Sequence, residues 1–217
     1  MFLAYENKLK WNWVIIACII TCFLTFAGIF GLDIPLYNFL HQFNWRIWDV
    51  IGNVFSTKNW LAISLIIVVI FYIRKLIQTK SKFNLLDMYS KIRSSYAFWV
   101  FCSVLSAALI GGILKIVLGR MRPIFYEALN ITGFFPFTMD WAFHSMPSGH
   151  TLASFAGLIM IGMLAPRGRW YAFTFAVIIG LSRVCVGAHW PSDIVVGAFI
   201  GIVAANIVKY VLSKRAK

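Results

Sequence analysis

Three short segments in the second half of the chain combine basic residues with histidine in an otherwise apolar sequence. Their ionisable members are Lys115 and Arg122, then His150, then Arg183, His189 and Asp193. Three fixed cations can hold the non-bridging oxygens of a phosphate group, and an arginine does so through two parallel hydrogen bonds. These residue types favour phosphate chemistry, provided that the fold brings the three segments together.

The sequence Pro147-Ser148-Gly149-His150 adds an anion site to this set. It opens a predicted helix, whose first backbone N–H groups are free and whose dipole is positive at that end. The serine can cap the helix or donate to an anion, and the glycine allows close approach of the backbone. His150 and His189 supply a nucleophile and a proton donor, and their spacing does not decide which is which. Asp193 follows His189 by four residues and can fix one imidazole nitrogen as N–H, which leaves the other free to attack.

The elements that must position these residues are membrane helices. The chain has 217 residues, of which 61% are apolar and 12% charged, and its mean hydropathy is +0.81. A soluble domain has about 45–50% apolar residues and about a quarter charged ones. The composition therefore excludes a disordered chain and argues against a soluble enzyme. At this length we expect a single integral-membrane domain over residues 1–217, with no separate catalytic domain.

Six segments approach the roughly 20 apolar residues that a helix needs to cross a bilayer. They are residues 13–32, about 51–73, 95–114 with an extension to 118, 148–165, 170–186 and 191–212. The second is the least regular, because its cleanly apolar part is short and a start near Ile51 places Lys58 within it. The prediction is an all-α, six-transmembrane helix bundle.

The distribution of charge predicts an orientation. The net charge is +13, and the basic residues lie mostly between apolar runs, which favours a membrane topology signal over a nucleic-acid surface. With six spans, fourteen Lys and Arg residues, including those of a loop at 74–93, fall on the side of the two termini, and four fall on the other. The positive-inside rule places both termini in the cytoplasm. We expect the protein in the inner (cytoplasmic) membrane. The same topology brings the ionisable residues of all three segments to the outer face, where we expect the active site.

The three motifs resemble the signature of a known family. Lys115-x6-Arg122-Pro123, Pro147-Ser148-Gly149-His150 and Ser182-Arg183-x5-His189-x3-Asp193 stand in the order and spacing of the type 2 phosphatidic acid phosphatase superfamily. That superfamily includes lipid phosphate phosphatases, bacterial undecaprenyl-diphosphate phosphatases and soluble vanadium haloperoxidases. The apolar spans are not compatible with the last of these.

The resemblance implies a role for each motif residue. His189 attacks phosphorus and becomes a phosphohistidine, Asp193 orients His189, and His150 protonates the leaving oxygen and then can activate water. The phosphate-binding residues implied in the same way are Lys115, Arg122, Arg183, Ser148 and Gly149. The family works without a metal, so we expect no metal and no cofactor.

Two residues near the motifs have open assignments. Arg120 either helps to position substrate or faces lipid head groups. His144 lies close enough in sequence to take part in the site, although structural packing is the alternative role. Apart from Asp193 and Asp140, the acids expected on the outer side are Asp33, Asp49 and Glu127, which are scattered along the sequence and do not resemble a metal site.

The expected function is hydrolysis of a phosphate ester or diphosphate on a lipid head group. Undecaprenyl diphosphate, lipid A 1-phosphate, phosphatidylglycerophosphate and phosphatidate all fit, and the lack of a long lid favours the first two. A phosphotransferase with an isoprenyl diphosphate donor would share the phosphohistidine. A lipid or anion transporter is the alternative from another class, but it would not need the His189–Asp193 pair with His150. The sequence indicates neither the lipid nor the oligomeric state.

Overall fold

Helices account for most of the computed structural model, which describes residues 4–5, 8–79, 92 and 95–214. A short antiparallel pair of strands, β1 (Ala4–Tyr5) and β2 (Lys8–Leu9), precedes them. The first half then contains α1 (Trp11–Ala27), a π-helical turn (Gly28–Leu32), α2 (Asp33–His41), α3 (Arg46–Val54) and α4 (Thr57–Thr79). The second half contains α5 (Tyr96–Leu118), α6 (Pro123–Leu129), α7 (Gly149–Leu164), α8 (Arg169–Cys185) and α9 (Pro191–Lys214). Single 3₁₀ turns lie at Trp141–Phe143 and Pro166–Gly168.

Helix α7 is the centre of the bundle and packs against α5, α8 and α9. Twelve of its sixteen residues, all of them described, are buried. Small residues let the neighbouring backbones come close. A Cβ added at Gly201 of α9 would lie 2.6 Å from the carbonyl oxygen of Leu152, and one added at Gly157 would lie 2.7 Å from the Trp60 ring of α4. This close packing fixes the start of α7 relative to three other helices.

A tight turn after α5 brings Lys115 and Arg122 to the same end of the bundle. Gly119 adopts the left-handed conformation with φ of 56°, and its N–H donates to the carbonyl of Lys115, 2.9 Å away. A side chain at this position would also collide with the backbone of Phe135, whose carbonyl oxygen would be 1.7 Å from a Cβ. Glycine is therefore required here both by φ and by space.

The third to sixth predicted spans agree with α5, α7, α8 and α9 to within about two residues, but the first two spans differ. The first was expected to end at residue 32, whereas the helical segment continues to His41, because the carboxylate of Asp33 is paired with Arg120 and Ser192 and does not end it.

The second span begins later than expected. A break at residues 55–56 separates α3 from α4, so that span begins at Thr57 and not near Ile51. The break has a physical cause. The side-chain amide of Asn59 donates to the carbonyls of Asn53 and Val54, which ends α3 and allows a new helix to begin. Lys58 consequently lies in the first turn of α4.

Four helical segments of the described chain are long and apolar enough to cross a membrane: Trp11–His41, Thr57–Gln78, Tyr96–Leu118 and Pro191–Ser213. Helix α7 is apolar but shorter, and α8 has 17 residues. The six-span count and the orientation therefore stay predictions. Much of the predicted basic loop at 74–93 lies outside the described residues, as do the terminal basic residues Arg215 and Lys217, while Arg74 and Lys75 belong to α4.

Candidate active site

A cavity of about 690 Å³ opens where α4, α5, α7 and α8 end or begin. Six of the residues predicted for the site line it: Lys115, Arg122, Gly149, His150, Arg183 and His189. The other lining residues are Ser56, Thr57, Lys58, Ile124, Trp141, Gly187 and Ala188. Two further predicted residues, Ser148 and Asp193, are fully buried beside it. The fold therefore brings three motifs that are distant in sequence to one cavity.

Two cations are held at the cavity wall by the backbone. Lys115 Nζ donates to the carbonyl of His144 at 2.7 Å, and Arg122 Nη2 donates to the same oxygen at 3.3 Å. Arg122 Nη1 also donates to the carbonyl of Ala188 at 2.9 Å, and its guanidinium lies 3.9 Å from the ring centroid of Trp141. Burial lowers the pKa of Arg122 to about 10, so it stays positive at neutral pH. Carbonyl partners fix the position of each cation without neutralising its charge, which leaves both able to bind an anion.

His144 contributes its backbone to this arrangement. Its ring Nε2 lies 2.9 Å from the carbonyl oxygen of Thr138, whereas its own carbonyl accepts from Lys115 and Arg122. Of the two roles that the sequence left open for His144, these contacts favour the structural one.

Arg183, the third predicted cation, lies against α3. A Cβ on Gly52 would be 1.8 Å from Arg183 Nη1 and 2.9 Å from Cζ, so the guanidinium occupies the space that any larger residue at 52 would need. Arg183 Nε is buried and has no hydrogen-bond partner among the described residues. A buried donor without a partner is costly, and an anion in the cavity would reduce that cost.

The start of α7 faces the cavity through Gly149 and His150. Thr57 Oγ1 donates to the carbonyl of Gly149 at 2.9 Å, which ties the start of α4 to the start of α7. The Ser148 hydroxyl accepts from Thr151 Oγ1 at 3.0 Å, and the backbone N–H of Ser148 donates to the carbonyl of Asp193 at 3.1 Å. The predicted anion site thus consists of a helix N-terminus that is anchored on both sides.

His189 lies in the turn between α8 and α9. Its backbone N–H donates to the carbonyl of Arg183 at 3.2 Å, so the turn fixes the two residues relative to each other. Its Nδ1 is 3.6 Å from Asp193 Oδ2, somewhat longer than a hydrogen bond. Burial, together with the charges of Lys115 and Arg122, lowers the pKa of His189 to about 3. The imidazole is therefore neutral at physiological pH, as a nucleophile must be.

Both carboxylate oxygens of Asp193 are occupied by other donors. Oδ1 accepts from Arg120 Nη1 at 2.6 Å, while Oδ2 accepts from Ser145 Oγ at 2.5 Å and from the Trp190 N–H at 2.9 Å. Such a carboxylate has a fixed orientation, and Oδ2 is the oxygen that faces His189.

Arg120 and Asp33 differ from the expectations drawn from sequence. Arg120 is buried, and its Nη2 donates to Asp33 Oδ2 at 2.6 Å, so it faces two carboxylates rather than head groups. The sequence showed Asp33 only as one of several scattered acids, whereas the structure pairs this acid with Arg120. It lies 87 residues from Arg120 in sequence, and a separation of that length gives no pattern from which their contact could be predicted.

Sequence reasoning also missed Gly52, Thr57, Ser145 and Trp141, which shape or support the cavity through the contacts above. The first two belong to the α3–α4 corner, which carries no recognisable motif. Among these four residues only Ser145 stands close to a motif, two residues before Pro147. This proximity was the one signal in the sequence by which it could have been found. Within the described part of the chain, no group of three His, Cys, Asp or Glu side chains could hold a metal ion.

The second half of the chain matches a known protein family. The model of the PAP2 superfamily matches residues 96–217, more than half of the chain. A lipid A 1-phosphatase of Rhizobium etli is 35% identical over 116 residues, which are 52% of this chain and 50% of that protein. An undecaprenyl-diphosphatase of Sulfolobus acidocaldarius is 32% identical over 101 residues, 46% of this chain and 47% of that protein. The chain spans about half the length of these curated relatives.

Two solved structures share the fold. A PAP2-type phosphatidylglycerolphosphate phosphatase from Bacillus subtilis superimposes with a TM-score of 0.63 and 17% identity, over 94% of this chain and 97% of that one. Aquifex aeolicus LpxE superimposes with a TM-score of 0.50 and 20% identity, over 84% of this chain and 97% of that one. At these identities the likeness concerns the fold alone, and it extends well beyond the region that the family model matches.

Proposed function

The chain belongs to the PAP2 superfamily, and from that premise we propose that it is a membrane lipid phosphatase that works through a phosphohistidine on His189. The observation that carries the proposal is the cavity lined by the three motif cations, Lys115, Arg122 and Arg183, and by both motif histidines, His150 and His189. A phosphate placed there would contact fixed positive charge, an activated imidazole and a proton donor at once.

The first chemical step forms one bond and breaks another. The free nitrogen of His189 attacks phosphorus, a P–N bond forms, and the P–O bond to the lipid or to the second phosphate breaks. His150 gives its proton to the leaving oxygen. Asp193 stabilises the histidine in the required orientation. This step yields the phosphohistidine and a lipid that has lost one phosphoryl group.

In the second step water attacks the phosphohistidine. His150, now neutral, accepts a proton from the water, the P–N bond breaks, and inorganic phosphate leaves. Lys115, Arg122 and Arg183 stabilise the charge on the three equatorial oxygens in both transition states. Because these cations supply the positive charge that the transferring group requires, we propose a metal-independent reaction.

The proposed location is the inner membrane, with both termini in the cytoplasm and the cavity at the outer face. The support is the excess of basic residues on the side of the termini and the positive-inside rule. The substrate then keeps its tail in the bilayer while its head group enters the cavity from the membrane surface. Lipid A 1-phosphate and undecaprenyl diphosphate are the favoured substrates, because relatives with those activities match the signature half of this chain.

The test is phosphate release by detergent-purified protein with EDTA present. The panel contains undecaprenyl diphosphate, lipid A, phosphatidylglycerophosphate and phosphatidate, and His189→Ala is run beside the wild type. We expect release by the wild type from one or two of these lipids, inhibition by vanadate, and a loss of more than about 10³-fold in the variant.

Other outcomes would contradict parts of the proposal. Release by His189→Ala at a substantial rate would exclude this residue as the nucleophile. Activity that EDTA abolishes would indicate a metal enzyme. No release from any lipid, followed by transfer when an acceptor lipid is added, would indicate a phosphotransferase; no reaction with either would favour transport or binding.

A further inference from the structure

The first membrane helix reaches the catalytic centre through a buried ion-pair network. Asp33 lies at the start of α2, within the segment Trp11–His41, and is 3% exposed. Its Oδ2 accepts from Arg120 Nη2 at 2.6 Å and from Ser192 Oγ at 2.6 Å, while its Oδ1 accepts from the Ser192 N–H at 2.9 Å. The acid thus binds both to the turn after α5 and to the first turn of α9.

Arg120 connects this acid to the proposed catalytic carboxylate. One nitrogen of its guanidinium donates to Asp33, and the other donates to Asp193 at 2.6 Å and to Ser192 at 2.6 Å. The rings of Phe134 and Trp190 lie 5.5 Å and 5.7 Å from its Cζ atom. The planar fork of an arginine is rigid, so fixing one nitrogen on Asp33 determines where the other nitrogen can hold Asp193.

The backbone of the first helix is adapted to this contact. The π-helical turn Gly28–Leu32 immediately precedes Asp33. A Cβ on Gly28 would lie 2.7 Å from the Cβ of Ser192 and 3.0 Å from Asp33 Oδ1. Single π-turns inside α-helices are frequent at functional sites. The glycine and the π-turn together let α2 approach α9 closely enough for the acid to bond.

We propose that Asp33 and Arg120 are positioning residues that set the orientation of Asp193, and through it that of His189, for the phosphatase reaction. The inference rests on the proposed function. It adds a residue from the first helix, which lies outside the region matched by the family model, to the parts on which turnover depends. Neither residue touches the substrate; each acts through Asp193.

The test compares steady-state kinetics of the full chain on whichever lipid of the panel the wild type hydrolyses. Asp33→Asn keeps the shape of the side chain and removes its charge. We expect kcat to fall by about 10- to 100-fold, because a small misplacement of reacting groups has an effect of this order. KM should change less than about twofold, since the cations and the start of α7 that would bind phosphate are untouched.

A matched control separates positioning from simple anchoring of the helix. Tyr37 also ties α2 to the rest of the molecule, through a hydrogen bond from its hydroxyl to Glu127. This hydroxyl is not among the described donors to the Asp193 carboxylate, which are Arg120, Ser145 and Trp190. Tyr37→Phe should therefore leave kcat within about twofold of the wild type, whatever it does to thermal stability. An equal loss of kcat in Tyr37→Phe and Asp33→Asn would overturn the proposal, as would an unchanged kcat in Asp33→Asn.

A double-mutant cycle tests whether Asp33 acts through Arg120. Arg120→Lys removes the fork, and Asp33→Asn should then add little further loss of kcat, because coupled residues are non-additive. If the two substitutions instead lower kcat by factors that multiply in the double variant, Asp33 does not act through Arg120. If Arg120→Lys does not fold, Ser192→Ala is used instead, because this substitution leaves both ion pairs of Arg120 intact. We then expect kcat to fall less in Ser192→Ala than in Asp33→Asn. An equal or larger fall would show that loss of the ion pairs is not the cause. Failure of the wild type on every lipid would instead contradict the proposed function.

Discussion

Helices α1 and α7 are both apolar, yet their surroundings are opposite. Helix α7 buries twelve of its sixteen residues, whereas α1, which is described in full, buries none of its seventeen. Large side chains such as Ile19 and Phe23 on α1 are 63% and 70% exposed. An apolar helix that is buried on nearly all sides belongs to the protein core, and one that exposes most of its apolar surface is typical of a helix in lipid. Apolar sequence alone does not distinguish these two situations.

The difference extends to the two halves of the chain. The second half forms most of the core and carries every motif residue, while the first half packs around it, as Trp60 of α4 does against Gly157 of α7. The first half also contacts the end of the second half that carries the site. Those contacts are specific: Asp33 on Arg120, Gly52 against Arg183, and Thr57 on Gly149. A peripheral region can thus determine the geometry of a site without contributing a catalytic group.

The largest expected contrast is between histidines of the two halves. His150→Ala, at the start of α7, should lower kcat by about 10²- to 10⁴-fold, because it removes the proposed acid and base. His41→Ala, at the end of α2, removes a ring that lies 2.9 Å from the carbonyl of Cys185 and should change kcat by less than about threefold. Phosphate release by both variants measures this. Similar losses would mean that the assignment of chemistry to the second half is wrong.

Packing should differ between the two apolar helices almost as strongly. Leu152→Ala in α7 removes a side chain that is 1% exposed and packs against Gly111. It should reduce the free energy of unfolding by about 2–4 kcal/mol. Ile19→Ala in α1 shortens a side chain that is 63% exposed, so it removes few protein contacts and should reduce this free energy by less than about 0.5 kcal/mol. Thermal unfolding in detergent compares the two. Equal destabilisation would show that α1 is covered by protein.

A smaller effect is expected where the first half contacts Arg183. Gly52→Ala places a methyl group where the guanidinium lies, so Arg183 must move. We expect kcat/KM to fall by about tenfold, since one of the three cations proposed to bind phosphate is displaced. Gly112→Ala on α5 is the matched control, because a Cβ there meets nothing within 4 Å. Wild-type kinetics in Gly52→Ala would show that the Arg183 position is not critical.

The smallest effect concerns the rim of the cavity. Lys58 lines the cavity from the first turn of α4. The hydrogen bond from Thr57 to the carbonyl of Gly149 holds this turn near the site. Lys58→Ala should raise KM about threefold for a diphosphate and less for a monophosphate, because a second phosphate would reach this exposed charge. Arg46→Ala controls for general attraction of anionic lipid, as Arg46 is exposed on α3 away from the cavity. Equal changes in the two variants would indicate attraction by net charge only.

Much of the site could be predicted because its residues stand in compact motifs. Lys115 and Arg122, Gly149 and His150, and the turn from Arg183 to His189 all line one cavity, as the predicted topology required. The second span was predicted with the wrong start, because the hydropathy of residues 51–73 gives no sign of the bonds from Asn59 that end α3. Arg120 was left open for a related reason: its partner is 87 residues away.

The sequence by itself determined the composition of a membrane protein, the family, and the identity of the motif residues. These follow from local patterns, since hydropathy, charge asymmetry and motif spacing are properties of neighbouring residues. The tertiary structure decided which apolar helix lies at the centre, how Arg183 finds space against Gly52, and that Asp33 bonds to Arg120. Burial, close approach and ion pairing between distant segments depend on packing, and packing is fixed only when all the helices are in place.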